Sequence, residues 1–370
     1  MQKFMIKPVI CKFNTAEEFA KNFEIGEKDL IITNQYIFEP YFGELGLKCH
    51  TIYQEKYGKG EPSDEMVESM YRDVCIEPER IIAIGGGTIM DIAKLFSLRQ
   101  MHPVLDLYDG KIVPEKGKKL VLVPTTCGTG SEVTNVAVLA LLSRGTKKGL
   151  ASDAMYADQA VLIPQLLQAL PFGVFATSSI DALIHAVESS LSPDANETTR
   201  MFGYRAIDMI LHGYQAIAKN GKPVLPSLLE DFLTASNYAG ISFGNAGCAA
   251  VHALSYPIGS TFHVPHGEAN YAVFTGVMRA YMKVRQDGEI AVMNHFLAGV
   301  LGCQPDDVYD ELEKLLNQIL PKKPLHAYGM ERYQIEEFAD SVLANQQRLL
   351  KHNFVPLDRG QIIAIYTELY

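Results

Sequence analysis

Four short runs of aliphatic and β-branched residues alternate with helical stretches across residues 1–165 of this 370-residue chain. The runs are DLIIT (29–33), CHTIY (49–53), RIIAI (80–84) and KLVLVP (119–124). This alternation predicts a parallel, Rossmann-like sheet covered by helices. The opening segment MQKFMIKPVICKF (1–13) also alternates as a strand does, and the stretch from Pro62 begins with a Pro-Ser-Asp helix start signal.

The pattern changes after the run KLVLVP. A segment with two apolar arms around Ser143–Thr146 predicts a β-hairpin attached to the sheet. From Leu166 onward helical periodicity dominates, most clearly at 175–191, 198–219, 305–320 and 333–350. The change falls in the run VLIPQLLQALPFGVF (161–175). We therefore predict an α/β domain at 1–167 and an all-α domain at 168–370.

Composition limits the partners of the chain. A formal net charge of −10 offers no electrostatic surface for nucleic acid or an anionic membrane. No segment approaches the roughly 20 apolar residues that a membrane helix requires. Six cysteines occur without a C-x-x-C motif, so neither a disulfide framework nor a cysteine zinc site is indicated. The expected compartment is the reducing cytoplasm.

Two loops at strand ends have the composition of phosphate-binding loops. After RIIAI comes GGGTIMDIAK, in which Gly86 and Gly87 precede a helix predicted to start at Thr88, with Asp91 at capping-box spacing. Glycines and a helix N-terminus suit a pyrophosphate, although a tight turn without a ligand gives the same pattern. After KLVLVP comes TTCGTGSEVTN, with hydroxyl groups at Thr125, Thr126 and Thr129. Two such loops at one sheet edge predict a nucleotide site, which makes 1–167 a dinucleotide-binding domain.

Four polar residues in apolar surroundings suggest a metal site. Asp181 and His185 are spaced i, i+4 in IDALIHA, and His252 and His266 lie in VHALSYPIGSTFHVPHG. An isolated Asp–His pair is more often a surface pair or a core hydrogen bond. One oxygen and three nitrogen ligands suit Fe²⁺ or Zn²⁺ and are poor for Ca²⁺. A structural zinc site would more often contain cysteine, so the set indicates a catalytic metal.

Together these motifs resemble the iron-containing (group III) alcohol dehydrogenases, which have a dehydroquinate-synthase-like fold. The similarity involves GGGTIMDIAK (85–94), PTTCGTGSEVTN (124–135), IDALIHAVES (180–189) and VHALSYPIG…HVPHG (251–267), in family order over nearly the whole chain. It implies metal-dependent, NAD(P)-linked interconversion of alcohols and aldehydes. The implied metal ligands are Asp181, His185, His252 and His266, with Fe²⁺ favoured and Zn²⁺ as the alternative. The implied cofactor residues are Gly86, Gly87, Thr88, Thr125, Thr126, Thr129 and Lys148.

The chain departs from the family pattern at two positions. Tyr256 stands where the family usually has a second histidine that helps to relay the alcohol proton, and a phenol with a pKa of about 10 is a poor base. His263 is a candidate substitute, with a structural role as the alternative. Asn34 stands where members that prefer NAD often have aspartate. Asparagine does not repel a 2′-phosphate, so NAD is expected but NADP is not excluded.

Within the family the chain is most similar to members that act on 4-hydroxybutyrate and succinate semialdehyde. Another short alcohol or diol is the alternative substrate. A metal- and NAD-dependent lyase on the same fold would have a different ligand set, and a non-catalytic metal-binding protein would turn over no alcohol. The expected partners are a small-molecule substrate and a second copy of the chain in a homodimer.

Overall fold

The computed structural model describes residues 4–58 and 60–370. Two compact units are present: an α/β unit, Ile6–Leu170, and a helical unit, which comprises Pro171–Tyr370 with Phe4 and Met5. Residues 1–3 of the predicted N-terminal strand, and of the predicted first domain, lie outside the described residues. None of the described helices is both long enough and apolar enough to span a bilayer.

The described residues of the α/β unit form eight strands and five α-helices. The strands are β1 (Val9–Lys12), β2 (Asp29–Thr33), β3 (His50–Tyr53), β4 (Arg80–Gly85), β5 (Lys119–Pro124), β6 (Val136–Leu141), β7 (Thr146–Ala151) and β8 (Gln159–Leu162). The helices are α1 (Ala16–Asn22), α2 (Gln35–Phe42), α3 (Asp64–Arg72), α4 (Gly87–Phe96) and α5 (Val104–Tyr108).

Six strands form one parallel sheet in the order β1-β8-β5-β4-β2-β3. Every residue of β2 is buried, as are all but the first residues of β4 and β5, which explains their continuous apolar sequences. After β2 the chain moves outward to β3 and then crosses back to β4 on the other side of β2. This change of direction is a topological switch point, where open α/β sheets bind ligands beyond the carboxyl ends of their strands.

The predicted hairpin forms, but its predicted attachment to the sheet is wrong. β6 and β7 pair antiparallel, with Leu141 opposite Thr146, as a separate two-stranded sheet. β6 buries alternate residues, and its apolar face packs in the same core as Ile89 and Met90 of α4. Helices cover that face. β6 therefore belongs to a second layer of the core and is not a seventh strand of the parallel sheet.

β8 was not predicted. It has only four residues and overlaps the start of the apolar run at 161–175, where the change between domains was predicted. A short continuous apolar run does not distinguish a strand from a buried helical segment. Pairing with β1 and β5 decides the outcome here.

In the described part of the helical unit there are ten α-helices. They are α6 (Phe172–Leu191), α7 (Glu197–Asn220), α8 (Leu229–Ala246), α9 (Ala250–Phe262), α10 (His266–Val284), α11 (Glu289–Leu301), α12 (Val308–Ile319), α13 (Gln334–Asn345), α14 (Gln347–Leu350) and α15 (Arg359–Leu369). α6 is buried without interruption from Ser179 to Leu191 and packs against α7, α8 and α10. A helix that is buried on all sides needs a reason for its polar residues. In α6, Asp181, His185 and Glu188 belong to the candidate metal site, whereas Ser179 and Ser189 form hydrogen bonds with Tyr214 and Ser242.

Candidate active-site elements

The first predicted loop joins β4 to α4. Gly86 is the N-cap of α4 and Gly87 its first residue, so the unpaired N–H groups of the first turn follow the strand directly. A helix N-terminus of this kind is a general phosphate site. The predicted capping box of Thr88 and Asp91 is wrong, because the cap is a glycine without a side-chain bond. Thr88 Oγ1 instead donates to Gly60 O at 3.3 Å.

Asp91 takes part in long-range contacts that hold the second loop. Its Oδ1 accepts a hydrogen bond from Ser131 Oγ at 2.7 Å, and its Oδ2 accepts one from Val138 N at 2.9 Å. One turn later the buried Lys94 donates to Ser131 Oγ at 2.6 Å and to Val136 O at 2.7 Å. Burial lowers the pKa of Lys94, while the nearby Asp91 acts in the opposite direction. Sequence reasoning missed Lys94, although a lysine in the apolar stretch IMDIAKLF was a signal.

The second predicted loop packs directly on the first. Thr125 is buried at the end of β5. A β-carbon at Gly87 would lie 2.9 Å from Thr129 Cγ2, and one at Gly86 would lie 3.5 Å from Thr126 Cγ2. The structure therefore brings the predicted glycines and threonines of the two loops together at one edge of the sheet.

Asn34 lies at the same edge, after β2. It occupies the N-cap position of α2, but its side chain makes no capping bond. Its Nδ2 donates to Gln54 Oε1 at 3.1 Å and to Glu55 Oε2 at 2.9 Å. Asn34 thus contacts a carboxylate from the segment after β3, which sequence reasoning did not identify.

Lys148 has a structural contact. It lies on β7, and its Nζ donates to Tyr108 O at 2.6 Å, which ties the hairpin to the end of α5. Its role near a cofactor stays a prediction.

The four predicted metal ligands converge within the helical unit. Asp181 and His185 lie on α6, His252 on α9 and His266 at the start of α10. Asp181 Oδ1 is 3.6 Å from His252 Nε2 and 3.8 Å from His266 Nε2, and Asp181 Oδ2 is 3.9 Å from His185 Nδ1. The rings of His185 and His252 stack with centroids 4.6 Å apart. Asp181, His252 and His266 form one group whose ligand atoms all lie within 4.8 Å of one another.

The hydrogen bonding of His252 fits a metal ligand. Its Nδ1 is 2.6 Å from Glu188 Oε2, whereas its buried Nε2 has no hydrogen-bond partner among residues 4–58 and 60–370. The distance of 3.6 Å between this Nε2 and Asp181 Oδ1 is too long for a hydrogen bond. A carboxylate on Nδ1 is the usual outer partner of a metal-binding histidine and leaves Nε2 for the cation. The donors at this site therefore fit Fe²⁺ or Zn²⁺.

Electrostatics at the cluster also favour a cation. Burial acts to raise the pKa of Asp181, but the histidines His185, His266 and His252 outweigh it and hold the pKa below its usual range. For His252 burial acts to lower the pKa, and interactions with Asp181 and Glu188 raise it to about 9. A cation at Nε2 would have to displace that proton, because a metal-binding histidine is neutral.

Close packing of α10 on α6 positions His266. A β-carbon at Gly267 would lie 1.9 Å from Thr177 O, so only glycine allows this approach. Asn270, one turn further, donates through Nδ2 to Asp181 Oδ1 at 2.7 Å. The sequence HGEAN thus supplies a candidate ligand, the close contact and a hydrogen bond that orients the carboxylate.

Sequence reasoning missed Glu188 and Cys248. Glu188 is buried and accepts hydrogen bonds from Ala249 N at 3.1 Å and Val251 N at 2.6 Å, besides its contact with His252. Glu188 lies three residues after His185 on the same helix, a spacing that could have identified it as a neighbour of the candidate metal site. Cys248 is buried and forms a second group with His185 and His252, within the same 4.8 Å limit. No sequence spacing indicated it, because it precedes α9.

Tyr256 and His263 occupy different environments. Tyr256 lies one turn after His252 on α9, is half-buried, and its ring centroid is 6.0 Å from that of His266. His263 is exposed and caps the C-terminus of α9 with a left-handed backbone, φ 53°. A backbone of this kind ends a helix. The catalytic roles suggested for both residues remain predictions.

Known proteins match the chain from end to end. A family model for iron-containing alcohol dehydrogenase matches residues 8–164, and one for the C-terminal part of the Fe-containing alcohol dehydrogenase family matches residues 175–370. A 4-hydroxybutyrate dehydrogenase of Clostridium kluyveri is 49% identical over 371 residues, covering 100% of both chains. A sulfoacetaldehyde reductase of Bilophila wadsworthia is 32% identical over 294 residues, covering 77% of this chain and 75% of that protein.

Solved structures share the fold. A 1,3-propanediol oxidoreductase superposes with a TM-score of 0.84 at 23% identity, covering 100% of both chains. A sulfoacetaldehyde reductase from Bifidobacterium kashiwanohense in complex with NAD+ superposes with a TM-score of 0.85 at 21% identity, covering 100% of this chain and 98% of that one. The predicted fold class is confirmed. From these family matches and the relative that is 49% identical over its full length, the chain belongs to the iron-containing alcohol dehydrogenase family.

Proposed function

We propose that the chain is an NAD-dependent dehydrogenase that interconverts 4-hydroxybutyrate and succinate semialdehyde, with Fe²⁺ favoured over Zn²⁺. Family membership supports the chemistry on alcohols, and the full-length similarity to the Clostridium kluyveri enzyme supports the substrate. The structural observation that carries the proposal is the buried His252 Nε2, which lies within the Asp–His cluster without a hydrogen-bond partner in the described part of the chain.

Each candidate residue has a defined task in this proposal. Asp181, His185, His252 and His266 would hold the cation, which supplies the Lewis acidity that favours ionisation of an alcohol hydroxyl. Asp181 offsets part of the charge of the cation, and Glu188 orients His252. In the α/β unit the first turn of α4 would bind the cofactor pyrophosphate through its N–H groups. The nicotinamide of that cofactor supplies the hydride chemistry.

A substrate panel tests the proposed function. The chain is incubated with NADH, with Fe²⁺ and Zn²⁺ added separately, and with semialdehydes and aldehydes of three to five carbons. We expect kcat/KM to be highest for succinate semialdehyde with Fe²⁺. A higher value for an uncharged aldehyde or a diol-derived aldehyde would assign another short-chain substrate. No turnover with any of them would contradict the proposal.

Glu188→Gln tests how the cluster is oriented. The carboxylate accepts two backbone N–H groups and faces His252 Nδ1, and glutamine would place an NH₂ group against one of these donors. Loss of such an outer partner typically costs 10–100-fold in metal affinity, and we expect a loss of about that size here. Chelator competition measures it, with the exposed Glu337→Gln as the control. Unchanged metal affinity, even with a lower unfolding temperature, would contradict an orienting role.

Tyr256→Phe tests the position at which the chain departs from the family pattern. We expect mainly a change in KM and only a few-fold change in kcat, because an unassisted phenol is a weak base at neutral pH. Metal content and NADH affinity should not change. A kcat loss of about 10²-fold or more, typical of lost acid–base catalysis, would instead identify Tyr256 as the proton relay.

The cellular compartment and the oligomeric state of the enzyme also remain proposals. All six cysteines are free thiols, which fits a reducing cytoplasm. A homodimer is the proposed assembly, and light scattering of the purified chain measures it.

A further inference from the structure

We propose that the carboxylate of Glu55 selects NAD over NADP. An aspartate at position 34 would supply the negative charge for this selection, and Asn34 does not. This inference rests on the proposed dinucleotide function. It concerns only the α/β unit, where β2 lies between β3 and β4. Thr33 pairs with Tyr53 on one side and with Ile84 on the other, so the segments that follow these strands share one edge of the sheet.

Glu55 is fixed at this edge by two hydrogen bonds. Its Oε1 accepts one from Gln35 N at 2.6 Å, and its Oε2 accepts one from Asn34 Nδ2 at 2.9 Å. Gln54 Oε1 accepts from the same Nδ2 at 3.1 Å, so the amide of Asn34 is turned towards the segment after β3. Asn34 therefore acts as a support that holds a neighbouring carboxylate, rather than as a group that reads the nucleotide.

Within residues 4–58 and 60–370, no ion pair neutralises the charge of Glu55. Among the residues that the structure describes, no lysine or arginine forms an ion pair with Glu55, and Lys56 lies instead over the ring of Tyr53, 5.3 Å from its centroid. Glu39 adds a second carboxylate nearby, which accepts the Tyr53 hydroxyl at 2.7 Å. Burial, followed by Glu39 and Glu55, raises the pKa of Tyr53 to about 12, so the phenol does not ionise at neutral pH.

The half-buried carboxylate of Glu55 can both bind NAD and discriminate against NADP. Each oxygen of Glu55 has one further lone pair, which can accept a hydrogen bond from a ribose hydroxyl. In dinucleotide-binding sheets an acidic group beside the glycine loop binds the 2′-hydroxyl of NAD. The 2′-phosphate of NADP would meet like charge at the same place, which costs affinity. Position 34 follows β2, whereas Glu55 follows β3. The geometry thus places the charge that discriminates against NADP one strand further from β4.

The test measures the dissociation constants of NADH and NADPH by fluorescence titration in the absence of substrate. The variants are Glu55→Gln, the exchange Asn34→Asp/Glu55→Gln, Glu55→Lys, and the exposed Glu44→Gln as a matched charge control. In Glu55→Gln we expect the preference for NADH over NADPH to fall at least about tenfold, mainly through tighter NADPH binding, because a nearby like charge is removed. The double variant Asn34→Asp/Glu55→Gln still has an amide beside a carboxylate, and it restores the negative charge. The preference for NADH over NADPH should therefore return. Glu55→Lys should bind NADPH more tightly still, and Glu44→Gln should match the original chain.

The outcomes separate this inference from the proposed function. If the unmodified chain binds neither dinucleotide, the proposed function fails and the selection role fails with it. If NADH binds but Glu55→Gln and Glu55→Lys leave the preference unchanged, only the selection role is overturned. Glu55→Gln could also change the preference without its being restored in Asn34→Asp/Glu55→Gln. The negative charge at this edge would then not be the cause of the preference for NADH, which also overturns the inference.

Discussion

His252→Ala is expected to lower turnover at least about 10³-fold, because several kcal/mol of metal-dependent stabilisation would be lost and each 1.4 kcal/mol is tenfold. His252 combines three features of the cluster: an Nε2 atom without a hydrogen-bond partner in the described part of the chain, an Nδ1 held by Glu188, and a ring stacked on His185. Bound metal, measured by elemental analysis, should fall together with activity. NADH affinity should be unchanged, since the glycine loop belongs to the α/β unit.

Two controls make this result interpretable. His252→Ala leaves the buried Glu188 without one of its partners, which can cost stability by itself. His266→Ala removes another candidate ligand, whose side chain is 34% exposed, and leaves the contact between Glu188 and His252 in place. The exposed His295→Ala controls for the loss of a histidine. Metal content and activity within a few-fold of the original chain in both cluster variants would contradict the ligand assignment.

Gly86→Ala is expected to weaken NADH binding at least about tenfold while leaving the fold intact, because a methyl group would stand where a phosphate approaches the backbone. The backbone of Gly86 has φ −78°, which alanine adopts without strain. Its β-carbon would meet Thr126 Cγ2 at 3.5 Å, an ordinary contact. Gly87→Val is a less specific test, because even the β-carbon would lie 2.9 Å from Thr129 Cγ2 and disturb the packing of the loops.

Calorimetry with NADH measures the effect of Gly86→Ala. Gly173→Ala is the matched control in the helical unit, because the backbone there is not left-handed and the added carbon would have no described atom within 4 Å beyond its chain neighbours and the backbone of its own helix. Metal content should be unchanged in both variants. If Gly86→Ala binds NADH as tightly as the original chain, the glycines form only a turn and the cofactor site lies elsewhere.

Features of the fold that depend on local sequence were predictable. β2 and β5 have the predicted bounds, because short β-branched apolar runs that alternate with helical stretches are typical of the buried strands of a parallel sheet. The i, i+4 spacing of Asp181 and His185 placed both on one helix face, and the structure brings His252 and His266 to the same place. The predicted family and enzyme class are confirmed as well.

Features that depend on distant partners were not predictable. Asp91 had the spacing of a capping box, but Ser131 and Val138, far along the chain, take its carboxylate. The contact of Glu55 with Asn34 depends on the register of β2 and β3, which no spacing in the sequence reveals. Cys248 precedes His252 by four residues, but only the fold of the helical unit brings it to His185. Sequence periodicity describes one element at a time, and these contacts join several.

The most direct test of metal-dependent hydride transfer follows the hydride itself. The metal-free chain is reconstituted with Fe²⁺ and given succinate semialdehyde with NADH that carries deuterium at both C4 positions of its nicotinamide, and the product is analysed by mass spectrometry and NMR. We expect one deuterium at C4 of 4-hydroxybutyrate for each NADH oxidised, and no transfer by the metal-free chain or by His252→Ala. Transfer at the same rate without metal, or oxidation of NADH without label in 4-hydroxybutyrate, would contradict it.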